Sequence, residues 1–197
     1  NAKGYTKLVM QRLREIGYRP QLFLINAADC GVPQRRERVF FCAVRDDIKA
    51  KQIELKPTHR WISAGEACED LQELTAAEKK DTNPAPNDSK WWPKTKQGET
   101  YADAVERAGK TRSLFQHYKQ DARAPSNTLS ANCSLFTHWT ECRRLTFREW
   151  KRLGSFPDDY HAKTDKIGKY MIGMSVPPKM TEQVARAVCQ QWLGVAP

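Results

Sequence analysis

The 197-residue chain has no Cys-x-x-Cys pair, and its six cysteines (30, 42, 68, 133, 142 and 189) are scattered. That pattern argues against a zinc site and against a disulfide framework. No stretch approaches the ~18 uninterrupted apolar residues that a membrane span requires. No charged-then-apolar leader opens the chain, so nothing argues for secretion. There is no internal repeat and no low-complexity tract. With 40% hydrophobic and 28% charged residues, the composition is that of globular material in a reducing cytoplasm. Acidic residues are in the minority, 23 Asp and Glu against 33 Lys and Arg, for a net charge of +10. Such an excess favours a polyanionic partner, either nucleic acid or an anionic membrane face, unless it only solvates the surface.

Hydrophobic periodicity gives order at both ends. Tyr5, Leu8, Val9, Leu13 and Ile16 fall on one face of an N-terminal helix, with Gly17 as its stop and Pro20 beyond. "QLFLINAA" and "RVFFCAVR" follow as strands on either side of a turn over 29–33; the second is apolar on both faces, as in the interior of a helix-covered sheet. Residues 48–141 are loop-heavy and polar, dotted with aromatics and prolines, and read as a separate small domain. Thr146 and Glu149 have capping-box spacing ahead of a helix whose inward face is Phe147, Trp150 and Leu153. In "IGMSVPPKMTEQVARAV" a Gly turn and two prolines open a last helix carrying Met180, Val184, Val188 and Trp192 at four-residue intervals.

Three segments carry chemistry. In "GVPQRRERVFF" (31–41), Gln34, Arg36 and Arg38 alternate along an extended stretch and point to one side. Guanidinium forks there would grip phosphates or the carbonyl edge of a flat polar ring. The bland alternative is a rim of salt bridges to Glu37 and the neighbouring aspartates. The "IGMSVPP" turn could receive a polar group through its backbone and Ser175, or be an ordinary cap.

Together, "GVPQRRERVFF", "RRLTFREWKRLGSFPDDY" and "YMIGMSVPPKMTEQVARAV" resemble, in order, the Gly-(Val/Ile)-Pro-Gln-x-Arg-x-Arg, ninth and tenth motifs of DNA cytosine-5 methyltransferases. The resemblance implies an α/β fold: a partial S-adenosylmethionine-dependent, Rossmann-like sheet remnant plus a small irregular α+β target-recognition domain. Its implied divisions are 1–47 (end of the catalytic domain), 48–141 (target recognition), 142–166 (ninth-motif helix and hinge) and 167–197 (tenth-motif helix). It implies that Arg38 holds the O2 edge of a flipped-out cytosine while Gln34 and Arg36 brace that site. Gly173, Met174, Ser175 and Val176 would help close the S-adenosylmethionine pocket, although Met174 stands where the family has Asn and cannot supply an amide's donor and acceptor. Arg35, Arg123, Asn127, Thr128, Ser130 and Asn132 would face double-stranded DNA. Arg144 and Arg148 would make internal ion pairs.

The family's chemistry also needs a Pro-Cys nucleophile, a Glu-Asn-Val glutamate and a Phe-x-Gly-x-Gly loop, and none of these strings occurs here. Cys30 lies beside the Gly-Val-Pro turn, outside the nucleophile's context. The expectation is therefore a carboxy-terminal half or split subunit that is inactive alone. Its partner would be a missing N-terminal half or a separate catalytic subunit, and self-association through an exposed core face is a further consequence. The competing expectation is a non-catalytic DNA-binding or regulatory module of the same ancestry; RNA binding has only the charge behind it.

Overall fold

The computed structural model describes residues 2–71, 73–111 and 117–194. Residues 112–116, inside the stretch expected to recognise a target, lie outside the described residues. The chain runs α1 (Ala2–Glu15), β1 (Tyr18–Asn26), β2 (Glu37–Arg45), α2 (Ala64–Ala67), α3 (Ala76–Asp81), α4 (Pro86–Trp91), α5 (Tyr101–Arg107), β3 (Tyr118–Lys119), β4 (Phe136–Thr137), α6 (Phe147–Leu153), α7 (Asp165–Met174) and α8 (Pro178–Val188).

Gly17, at φ +84°, turns α1 directly into β1. That left-handed geometry costs a glycine nothing. β1 and β2 pair antiparallel from Tyr18↔Arg45 to Asn26↔Glu37. Because strand side chains alternate, Phe23, Ile25, Phe40 and Cys42 share one face, on which Met180, Val184 and Ala187 of α8 and Ile53 complete a core. The opposite face has no such cover. Leu22, Leu24, Val39 and Phe41 remain 42%, 67%, 47% and 38% exposed. Tyr5, Leu8 and Val9 of α1, and Ile16 just after it, are exposed as well. The expected two-sided burial of β2 is thus realised on one side only.

A second core gathers Ala64, Cys68, Leu129, Phe136, Leu145, Trp150, Leu153 and Ile172. Thr146 and Glu149 form the capping box of α6, which drives Trp150 and Leu153 fully inward. Residues from the loop-rich stretch and from α6 therefore share one core. α7 was not anticipated. Gly173, expected in a turn, is helical, and Ser175 is the C-cap of α7 rather than a cap for α8. The reason is tertiary: a Cβ at Gly173 would overlap the carbonyl of Ser130. Glycine lets the helix and the 130–131 backbone touch.

Candidate functional site

The loop joining β1 to β2 is closed from within. Asn26 Oδ1 accepts from Ala28 N and Arg36 N, both at 3.2 Å, and Ala27 N donates to Arg36 O at 2.9 Å. Residues 126–130 run beside this loop: Ser126 N donates to Pro33 O (2.9 Å), Arg35 N to Ser126 O (2.8 Å) and Thr128 Oγ1 to Arg35 O (2.6 Å).

Two long side chains pin the companion run from below. Gln34, fully buried, donates from Nε2 to Leu153 O (3.1 Å) and accepts from Leu129 N (3.3 Å). Arg36 is 3% exposed and donates to Leu129 O (2.7 Å) and Gly173 O (2.8 Å). Its Nε has no acceptor. Burial, and then the charge of Arg38, lower its pKa to about 10, so the guanidinium stays charged at neutral pH. Gln34 and Arg36 thus fasten three segments together and present nothing to an external ligand.

Arg38 differs. It opposes Ile25 at the loop end of the hairpin's covered face, is half-buried, and among the described residues donates to Glu37 O at 2.7 Å. Arg35 is exposed, with its guanidinium 5.6 Å from the centre of the Trp61 ring. Among the described residues, none of the three arginines forms an ion pair. The nearby aspartates are otherwise engaged: Asp47 with Arg45, Asp46 with Arg19, and Asp29 with Trp61 Nε1. This overturns the salt-bridge rim as an explanation for the arginines. Trp61 was missed in the sequence because 26 residues separate it from Arg35 and no local pattern links them.

The surface run carries further sequence candidates. Thr128 and Asn132 are exposed, Asn127 and Ser130 half-buried. Asn127 N donates to Gln120 Oε1 (3.3 Å), and Asn132 Oδ1 caps the turn at Ser134 N (3.3 Å). Arg123 is exposed but held by Asp121 at 3.2 Å, apart from the others. Arg148 pairs with Glu78 (2.7 Å), and Arg144 lies 3.6 Å from Asp88.

The remaining candidates do not form a cofactor site on their own. Gly173 is interior; Ser175 Oγ donates inward to Ile172 O (2.8 Å); Met174 and Val176 offer apolar surface only. A nucleoside with charged and hydroxyl groups finds too few donors and acceptors there, so these residues supply at most one wall. Nor does the interior offer a ready nucleophile. Burial, then the charge of Asp29, push the Cys30 thiol up to about 11, and burial above all pushes Cys68 up to about 12. A thiol so raised is scarcely ionised at neutral pH. No group of three or more His, Cys, Asp or Glu placed to hold a metal ion occurs among the described residues.

The fold is shared with solved methyltransferase structures. A chain from E. coli described as a prophage-encoded DNA modification methyltransferase shares the fold with a TM-score of 0.73 at 17% identity, covering 98% of this chain and 66% of that one. The Dnmt2 of Spodoptera frugiperda, in a mutant form, gives 0.62 at 16% identity over 93% of this chain and 62% of that one. The chain belongs to the C-5 cytosine-specific DNA methylase family, whose profile matches residues 1–190. Type II methyltransferase M.BbvI of Brevibacillus brevis is 31% identical over 91% of this chain, and M.MthTI of Methanothermobacter thermautotrophicus 28% identical over 96%. The chain spans 51% and 62% of the lengths of those two relatives.

Proposed function

We propose that this chain is the base-positioning and target-recognition part of a DNA cytosine-5 methyltransferase, which moves a methyl group from S-adenosylmethionine to C5 of a flipped cytosine in duplex DNA. The observation that carries the reading is Arg38: a guanidinium without a carboxylate partner, at the rim of a loop clamped by Gln34 and Arg36, in a chain of this family. Extruding a base costs a few kcal/mol of stacking and pairing, which fixed donors must offset. In this reading Arg38 donates to the cytosine O2 edge. Gln34 and Arg36 hold its loop against the 126–130 run, where Arg35 and Thr128 face the strand.

S-adenosylmethionine would supply the methyl group, and activating C5 requires a thiolate adding to C6. The sequence offers no Pro-Cys, and the buried thiols are poorly ionised. The nucleophile and most of the cofactor cradle are therefore assigned to another polypeptide segment, joined or separate. Leu22, Leu24, Val39 and Phe41, with the exposed side of α1, give that segment its apolar seat, and offer the same seat to a second copy when it is missing. No helix among the described residues is long and apolar enough to cross a membrane.

The test is transfer of labelled methyl groups to duplex DNA by the chain alone and together with a family segment carrying Pro-Cys and Glu-Asn-Val. The chain alone is expected to be inactive. The mixture is expected to be active, and Arg38→Ala to lose at least 100-fold, roughly 3 kcal/mol by the usual conversion. Transfer by the chain alone refutes the division of labour. DNA binding with no transfer in any mixture favours the non-catalytic module instead.

A further inference from the structure

Beyond Asn132 the chain opens a groove of about 780 Å³ between the turn Cys133–Leu135 and α7. Nothing in the function above uses it. Its lining is rich in hydrogen-bond donors and poor in free acceptors. Lys166 is exposed and has no ion-pair partner among the described residues; the Tyr170 hydroxyl is likewise unclaimed there, on a side chain 52% exposed. Arg144 also lines the groove; its Nε is buried and faces Asp88 at 3.6 Å, so Arg144 contributes positive charge to the wall rather than that donor. Asn132 spends its carbonyl oxygen on Ser134 N (3.3 Å) and Ser134 Oγ (2.6 Å), which leaves its NH2 as the available end. Among the described residues Asp81 is the only carboxylate in the lining, and Lys169 neutralises it at 2.6 Å. Ala131 and Ile167 add apolar surface between these groups.

Such a lining suits an anion carried on a partly apolar body, as a phosphate ester is. Its position narrows the choice. Thr128, bonded to Arg35 O, and Asn132, on the groove wall, are four residues apart, at most ~14 Å of extended chain. At ~3.4 Å per base-pair step that is about four steps of duplex.

We propose that this groove binds a phosphodiester group of the DNA strand flanking the recognised site, with Lys166 and Tyr170 as direct donors and Arg144 supplying charge. The proposal rests on the DNA-recognition reading for its source of phosphate. A free nucleotide would present the same chemistry.

The experiment measures duplex-DNA affinity by fluorescence anisotropy between about 50 and 200 mM salt for the full chain and for Lys166→Ala, with melting curves confirming that the variant folds. Losing one phosphate contact removes about 0.9 from the log–log salt slope, so the affinity lost across that salt range is about 3-fold smaller for the variant. Tyr170→Phe should weaken binding while leaving the slope unchanged. Equal slopes and affinities for Lys166→Ala and the unmodified chain overturn the proposal.

If the unmodified chain binds no duplex, the DNA reading itself fails, and a thymidine dinucleotide with and without a 5′-phosphate decides for the groove. Phosphate-dependent binding that Lys166→Ala abolishes upholds it as a free-nucleotide site. Binding indifferent to the phosphate, or none, overturns it.

Discussion

Acid should weaken this fold before its carboxylates titrate, through one histidine. His138 is 6% exposed, and its Nδ1 accepts from Thr140 N and Glu141 N, both at 3.2 Å. The ring is thus neutral with its proton on Nε2, 3.5 Å from Glu149 Oε1. Glu149 is in turn claimed by Arg143 through two bonds of 2.7 and 2.9 Å and by Thr146 N at 2.7 Å. Protonating Nδ1 would break both backbone bonds and bury a second cation beside Arg143. Burial dominates and Arg143 adds to it, against the pull of Glu149, so the pKa falls from 6.5 to about 4.

The unfolded chain then binds the proton that the folded one refuses. Stability is fully present above about pH 6.5 and is lost as pH falls towards 4, at about 1.4 kcal/mol per unit. At pH 5 the expected loss is about 2 kcal/mol, which for a chain of this size lowers Tm by roughly 4–8 °C. Glu149 has a depressed pKa, so its own stability contribution declines only below its ordinary value of 4.5 and leaves the window from 6.5 to 5 to histidine. His138→Asn keeps an acceptor near Nδ1 without the titration. Urea melts of both proteins at pH 7, 6 and 5 provide the assay, and the gap between them should narrow by about 2 kcal/mol as pH falls. A constant gap across the three pH values refutes the reasoning.

Two further outcomes follow from the packing. Arg36→Met strips Leu129 O and Gly173 O of their donor at about 1–3 kcal/mol each, partly offset by removing a buried charge. A net loss of about 2–4 kcal/mol is expected in denaturant titration, together with faster proteolysis within 126–132; a change below about 0.5 kcal/mol would show that the clamp is idle. Leu24→Lys, on the uncovered hairpin face, should leave Tm nearly unchanged and abolish concentration-dependent mass in light scattering, and undiminished self-association would move that contact elsewhere.

Much of the frame could be read from local pattern. The apolar runs around Phe23 and Phe40 on either side of a turn, with the stop at Gly17, mark the two strands, and Thr146 with Glu149 marks the start of α6, because each signal acts within a few residues. What stayed hidden depends on distant partners. Arg36 looked like a ligand-facing charge, since arginine is rarely buried; its two acceptors lie 93 and 137 residues away. Gly173 looked like a turn because glycine usually breaks helices. Only the approach of Ser130 explains a glycine in the last turn of α7.

The 126–130 run is gripped almost wholly by its peptide groups: Ser126 N and O, Asn127 N, and Leu129 N and O all have fixed partners. Two side chains add to this: Leu129 is fully buried and Thr128 Oγ1 donates to Arg35 O at 2.6 Å. Fastened this way, the run resembles a type case whose letters can be changed without rebuilding the frame. Side-chain exchanges along it that spare the Thr128 hydroxyl would alter the surface the run presents while the peptide contacts beneath keep its shape.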